Sequence, residues 1–513
     1  MTNVPAKGHA CRMRVGCLTA ALFVTGMGGL AGTEVPDEPR ACWPQFRGPN
    51  ASGVSADKKP LPVEFGPETA IWTTPLPPGH SSPCIWGDRI FLTAFDRDAQ
   101  QLETLCLNRR DGAILWRRAA PAAAIEQVHP ISTPANATPA TDGRRVYVYF
   151  GSFGLLCYDF AGVELWRLAQ AAPPTPYGSG SSPVVAGEFV LLSCEAPPRP
   201  SLSAVDRRTG KVVWRQTVLP YLPGYATPVT WTDGETEEVI LHNSVGITAW
   251  RLADGAQRWW VSSLSAASST PAVGAGRLFV AAYWPGGEPE DRVPLPPFDD
   301  MLLRHDANRD GKIGADELAA DLPIVRRARS GDLPGAEIRL ADVFPFFDAN
   351  ADQQYDRAEW NKAVAFSQHG REHGLLAIRP GGQGDVTSSH VEWRESRSVA
   401  EVPSPLLYGE RVYMVKDGGI LSCLDAPSGR LLYRTRLGAA GAYFASPVAG
   451  DGKLYAASHH GTIAVFAAGD TFQRLAVNEL HEPVFATPAI AGGRLYVRTA
   501  HRLYAFGTVQ END

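Results

Sequence analysis

One short pattern recurs eight times along this chain of 513 residues: Ser, Ala or Pro, then Ser or Thr, then Pro, followed each time by a strand-like run. The prolines are Pro83, Pro139, Pro183, Pro228, Pro271, Pro405, Pro447 and Pro488. Most steps between them measure 41–56 residues; one, from Pro271 to Pro405, measures 134. A second pattern keeps time with the first. Its clearest copy, "AVDRRTGKVVWRQTV" at 204–218, reads as a strand, a tight turn at Thr209–Gly210 and a strand carrying Trp214. Trp72, Trp116, Trp166, Trp259 and Trp393 hold the same place, Tyr433 substitutes in another copy, and the last copy is apolar near Leu475 or Ala476.

Each unit therefore reads as four strands; in the third they are "SPVVA", "EFVLLSC", "LSAVD" and "KVVWRQ". A lone four-stranded sheet of this length cannot bury both faces. Radial stacking of such sheets does so, and this repeat length suits a propeller blade. After Pro488 the chain supplies "RLYVRT" and "HRLYAFG", one strand short of a blade, while "TAIWTTPL" before Pro83 is a spare outer strand. Joining them completes an eighth blade and removes the open edges of the ring. The content of 50 Gly and 42 Pro suits a chain with many tight turns. The expectation is all-β: an eight-bladed propeller with a small α-helical insertion, the recurring Trp packing blade on blade.

The insertion follows from the long step. It falls between the second and third strands of one blade, over residues 284–373. Within it, "DANRDGKIGADE" (306–317) has the spacing of a calcium loop: Asp306, Asn308, Asp310 and Glu317 at positions 1, 3, 5 and 12, Gly311 at the sharp turn and the Lys312 carbonyl at position 7. A hard cation wants such oxygen ligands, and a bidentate Glu at position 12 closes the shell. A second loop, "DANADQQYDRAE" (348–359), offers Asp348, Asn350, Asp352, the Gln354 carbonyl, Asp356 and Glu359. Gln353 replaces the usual Gly there, and a non-Gly residue in a left-handed conformation costs about 1–2 kcal/mol. Ile313 and Tyr355 at position 8 predict a short two-strand contact between the loops. Phe298, Met301 and Leu302 before the first loop, and Leu318, Leu322 and Val325 after it, have helical spacing. One or two calcium ions are expected.

The loop between second and third strands opens on the same face as the links between blades. Those links carry His80, Tyr225, Phe444 and Phe485 and border the channel mouth, with His459 and His460 in another loop of that face. The pair of calcium loops is expected to stand beside that mouth.

The N-terminus has the layout of a secretory signal peptide: Lys7, Arg12 and Arg14 precede an apolar run ending in small residues near Ala31 and Gly32. A retained anchor is the alternative, although several Gly and Thr make the run a poor span. The expected organisation is a signal peptide over 1–32, an extension over 33–68, blades over 69–283, the insertion over 284–373, and blades with ring closure over 374–508. Export to the periplasm or beyond permits disulfides, yet Cys106, Cys157 and Cys423 sit at equivalent places in different repeats and read as small buried hydrophobes. Cys42, Cys84 and Cys194 are left open to pairing. A net charge of −6 gives no electrostatic reason to expect nucleic acid or an anionic membrane as partner.

The repeat resembles the pyrroloquinoline-quinone (PQQ) type of propeller repeat, with its Ala-x-Asp-x-x-Thr-Gly-x-x-x-Trp docking motif; "AVDRRTGKVVW" matches fully and "CLDAPSGRLLY" partly. That superfamily includes eight-bladed quinoprotein dehydrogenases and an outer-membrane barrel-assembly lipoprotein that binds no quinone. "WPQFRGPNASGVS", "AIRPGGQGDVTSSHVEW" and "VKDGGILSCLDAPSG" further resemble an exported bacterial subfamily of such proteins. The resemblance implies the fold, not the function. The quinone chemistry asks for a calcium-holding carboxylate, a carboxylate base, an Arg near the quinone oxygen and an aromatic floor. The alcohol-oxidising branch also uses adjacent cysteines, and no Cys-Cys pair occurs here. The starts of the inner strands carry small and apolar residues; Asp385 and Arg394 are the charges placed to reach the channel region. PQQ and catalysis are therefore disfavoured. The leading expectation is a monomeric, exported, calcium-binding scaffold with a protein or carbohydrate ligand at its mouth. A PQQ-dependent dehydrogenase, a hydrolase using mouth residues, and an envelope assembly factor are the alternatives.

Overall fold

A computed structural model of the chain describes residues 42–507, except 197, 219–221, 235, 319–321, 328–335 and 370–372. The expected signal peptide lies outside the described residues. Eight antiparallel sheets follow one another in the order of the repeats. Blade 1 is built on Cys84–Trp86, Arg89–Asp96, Gln101–Asn108 and Ile114–Ala119, and blade 3 on Val184–Ala186, Phe189–Cys194, Ser201–Asp206 and Val212–Thr217. Blade 8 is composite: Ala489–Ala491, Arg494–Arg498 and Arg502–Gly507 are completed by Trp72–Pro75, with Trp72 opposite Ala505. The ring closes as expected.

The middle residue of each triplet has a defined task. The hydroxyls of Thr138, Ser182, Thr227, Thr270, Ser404, Ser446 and Thr487 each accept the backbone N–H of the equivalent residue in the preceding blade, at 2.9 to 3.1 Å. These residues are buried beside the axis. A buried N–H without a partner costs about 1–3 kcal/mol, so a side chain with an oxygen is required at each step. The proline that follows has no N–H to satisfy. The Ser/Thr-Pro repeat is thus a belt of hydrogen bonds around the channel.

A second device holds the outer strands. The indole N–H groups of Trp72, Trp116, Trp166, Trp214 and Trp393 donate to carbonyls of the next blade: Arg109, Phe160, Arg207, Leu252 and Ala426, at 2.8 to 3.1 Å. The turn glycine of that next blade lies on the ring. A Cβ added at Gly112, Gly162, Gly210, Gly255 or Gly429 would meet the indole at 2.4 to 2.8 Å, and each of these glycines has a left-handed φ of 71 to 80°. In the last copy Ala476 takes the place, opposite Val465. Trp259 differs. Its indole donates to Glu238 of its own blade, and Gly384–Asp385 adds a parallel strand beside it.

Residues 42–68 form a strap over the face opposite the inter-blade links. Cys42–Trp43 pairs with Cys84–Trp86 of blade 1. Pro44 O accepts from Thr141 of blade 2, the Asn50 carboxamide bonds to Thr230 of blade 4, and Gly53 and Ser55 exchange hydrogen bonds with Ala449 of blade 7. Arg47 is fully buried under the strap, with one donor on Pro405 O at 2.7 Å, and desolvation lowers its pKa to about 9. Among the described residues, Cys84, Cys106, Cys157, Cys194 and Cys423 are in no disulfide. No disulfide joins Cys84 to Cys194 in this structure. Cys106, Cys157 and Cys423 are buried, as read from the repeat.

Candidate metal centre

The insertion leaves blade 5 after Ala282 and returns at Gly374, two residues that pair directly across the second and third strands. It carries its own apolar core, including Phe298, Met301, Ile313, Phe347, Tyr355 and Trp360. Glu288 fastens its base to the ring. This carboxylate, 2% exposed, receives Lys416 Nζ from blade 6 at 2.6 Å and the Val399 N–H at 3.0 Å.

Helix Phe298–His305 leads into the first loop, and helix Arg357–His369 leaves the second. Between them Ile313–Gly314 pairs antiparallel with Gln354–Tyr355, Ile313 opposite Tyr355, as position 8 of each loop predicts. The exit from the first loop departs from expectation. Leu322 and Val325 do not continue a helix: Pro323–Arg327 is a strand paired with Ala336–Arg339. Pro323 disfavours the α region for the residue before it, and the Ile-Val that follows suits a strand.

The two loops repeat one geometry. Carboxylate oxygens of Asp306, Asp310 and Glu317 lie within 4.8 Å of one another, and so do those of Asp348, Asp352 and Glu359. Backbone N–H groups hold them there. Asp306 accepts from Asp310 and Gly311 at 3.1 and 3.0 Å; Asp348 accepts from Asp352 and Gln353 at 3.2 and 3.0 Å. Glu317 accepts from Ala307, Asn308 and Gly314, and Glu359 from Ala349 and Asp356. The hydrogen bonds from Gly314 and Asn308 lower the Glu317 pKa, so the charged form is the stable one. Gly311 has φ 79° and Gln353 φ 63°, so the unusual Gln does occupy the left-handed turn. Arg309 and Ala351, two residues earlier, are left-handed as well.

The remaining predicted ligands frame these carboxylates. Asn308 and Asn350 accept the N–H groups of Asp310 and Asp352 through Oδ1, both at 2.8 Å. Lys312 Nζ reaches across to Asp352 at 2.7 Å and Gln354 Nε2 to Asp310 at 3.0 Å, so each position-7 side chain touches the other loop. The Lys312 ammonium is the first cause of a lowered Asp352 pKa. Asp356 accepts the Glu359 N–H at 2.8 Å and caps the following helix. Three convergent carboxylates per loop, all hard oxygen donors, fit a divalent cation of the calcium type.

On the face of the inter-blade links, His80 stacks on Phe485 with ring centroids 4.0 Å apart, and His459 and Phe444 join the same cluster. Burial lowers the His80 pKa to about 3, helped by the nearby charges of Arg498 and His459. Asp385 and Arg394 do not reach the channel. Gly384–Asp385 lies beyond the outermost strand of blade 4, and Arg394 is on the outermost strand of blade 5. Both follow the third strand of blade 5, where the chain has already moved away from the axis.

Two further acids lie near the mouth, one just after a second strand and one in a link, and not at the starts of inner strands. Glu195 follows the second strand of blade 3, is 3% exposed, and has an Oε2 with no partner; burial raises its pKa to about 8. Glu126, in the link before blade 2, is raised to about 7 by burial, and its Oε1 is also unpartnered. The sequence signal for Glu195 is a carboxylate directly after the apolar second strand, in "LLSCEA".

The PQQ_2 family model, described as outer membrane protein assembly factor BamB, matches residues 65–223, 199–295 and 382–506. No curated protein sequence matches the chain. Among solved structures, quinohemoprotein alcohol dehydrogenase from Comamonas testosteroni is similar at TM-score 0.54 and 11% identity, over 93% of this chain and 82% of that one. The computationally designed Ika8 protein is similar at TM-score 0.51 and 9% identity, over 86% of this chain and 99% of that one. BamB from Moraxella catarrhalis gives TM-score 0.49 and 12% identity, over 86% and 99%. At these identities the likeness concerns the fold.

Proposed function

The chain belongs to the PQQ_2 family, the family described as outer membrane protein assembly factor BamB, and from that membership we propose an exported, calcium-binding propeller that serves as a binding or scaffolding protein in the cell envelope. The family description supports a protein partner over a small-molecule reaction. One observation carries the calcium part: the two loops converge three carboxylates each, in matching backbone cradles. Asp306, Asp310 and Glu317 would hold the first ion, and Asp348, Asp352 and Glu359 the second. The bound ion would screen the repulsion among these carboxylates and so stabilise the folded insertion. Lys312 offsets part of that repulsion in the second loop by pairing with Asp352.

Calorimetric titration of the intact protein with calcium tests this reading. Heat of binding and a raised melting temperature are expected, both weakened by Asp306→Ala with Glu317→Ala. No calcium-dependent heat or stabilisation would overturn it. A second reading, quinone-dependent oxidation at the mouth, draws on the buried acids Glu126 and Glu195. Dye-linked alcohol or sugar oxidation after reconstitution with PQQ and calcium would favour it over scaffolding.

A further inference from the structure

The face opposite the mouth holds a cavity of about 500 Å³ between the strap and the axis-side strands of blades 1 to 4. The strap bonds to blades 1, 2, 4, 6 and 7 and, among the described residues, makes no hydrogen bond to blade 3. The cavity opens where that contact is missing. Pro44, Gln45 and Asn50 form one wall; Trp86, Thr141, Asp142, Glu188 and Arg207 are on the others.

The lining has a particular chemistry. Gln45 is 5% exposed and lines the cavity. Arg207 donates to Glu188 at 2.7 Å, while its buried Nε has no partner among the described residues. Charges nearly cancel: Asp142 lies 3.4 Å from Arg145 and 4.0 Å from Arg207. A pocket without net charge does not select an ion. It offers planar amide, carboxylate and guanidinium groups that pair with neighbouring hydroxyls, beside an indole and valines that suit C–H faces. Its volume lies in the range of small-molecule sites.

We propose that this cavity is a saccharide-binding site, with Gln45, Glu188 and Arg207 binding hydroxyls and Trp86 supplying the apolar wall. The site is separate from the mouth and from the calcium loops, so it does not rest on the function proposed above. A hydroxyl can donate to the Glu188 carboxylate and accept from the Arg207 guanidinium or the Gln45 carboxamide, so a ligand rich in hydroxyls matches this lining.

Saturation-transfer NMR on the intact protein with maltose, cellobiose and N,N′-diacetylchitobiose, and with adenosine as a flat heteroaromatic control, tests this. Transfer from at least one disaccharide is expected, with affinity reduced about tenfold in Glu188→Ala and in Gln45→Ala, the equivalent of one hydrogen bond. Glu188 is on an exposed turn, so its variant should fold normally. The proposal is overturned by no transfer from any disaccharide, by transfer from adenosine alone, or by affinity unchanged in both variants.

Discussion

Thr227 shows how much a single hydroxyl does in this ring. Its Oγ1 accepts the Ser182 N–H at 3.1 Å, and its own N–H is passed on to Thr270 at 3.0 Å. Thr227→Val keeps the shape and removes the acceptor, leaving the buried Ser182 N–H orphaned. The expected loss is about 1–3 kcal/mol, read by urea unfolding, with Thr227→Ser close to the parent. A valine variant as stable as the parent would show that the belt is incidental. The triplet was visible in the sequence, but its purpose was not, because the pattern shows a shared hydroxyl and not the N–H it faces in another repeat. Gln353 shows the opposite case. Its left-handed turn was legible from the loop spacing, since the backbone must reverse there whichever residue is present. A further residue-scale test concerns Glu195. Burial raises its pKa to about 8, so the folded state keeps a proton that the unfolded state releases in the ordinary carboxylate range. Its contribution to stability is full below about pH 4.5 and is lost as pH rises through about 8. Glu195→Gln removes that titration. The melting-temperature difference, parent minus variant, should therefore fall between pH 5 and 9; a flat difference would place the Glu195 pKa back in the ordinary range.

Between elements, the contact that decides blade packing is an indole on a glycine. Trp214 is 8% exposed, donates to Leu252 O at 2.8 Å and lies against Gly255 of the next blade. Trp214→Ala should cost about 3–5 kcal/mol through the cavity it leaves. Gly210→Ala attacks the same type of joint from the other side. Its φ is 72°, and the added methyl would meet the Trp166 ring at 2.5 Å, so thermal unfolding should shift down without any loss of indole. Unchanged unfolding in both variants would remove the docking role. This joint was legible because Trp and Gly recur at fixed spacing. The first loop's exit was not. Leu318, Leu322 and Val325 do have helical spacing, but Pro323 and the pairing with Ala336–Arg339 decide the conformation. Three apolar positions fit either period when a distant strand supplies the partner. The disposition of Asp385 misled for a similar reason: it follows an axis-to-rim sequence of strands by only a few residues, and nothing local says that it pairs with Trp260 of another blade.

At the scale of the molecule, ring and insertion are separable pieces of physics. The ring is closed covalently at no point; it is closed by Trp72–Pro75 pairing with Arg502–Gly507, and by Arg498, whose buried guanidinium donates to Ser81, Thr93 and Pro77 of the first blade's approach. None of these contacts involves residues 284–373. The insertion has its own core, and Ala282 and Gly374 already face each other as a paired end of two strands. Facing residues in an antiparallel pair are about 4.5–5.5 Å apart, so a short turn can join the strands. Replacing residues 286–371 with a short Gly-Ser bridge should therefore leave a monomeric propeller that unfolds cooperatively. It also strips Lys416 of its Glu288 partner, so the deletion is best combined with Lys416→Met to avoid a lone buried ammonium. Such a protein should lose the calcium heat entirely while keeping the saccharide response of the strap-side cavity, since the two sites share no residue. A deletion protein that aggregates or lacks a cooperative transition would mean that the insertion supports the ring, and that its two acidic loops act on the stability of the whole propeller and not of the insertion alone.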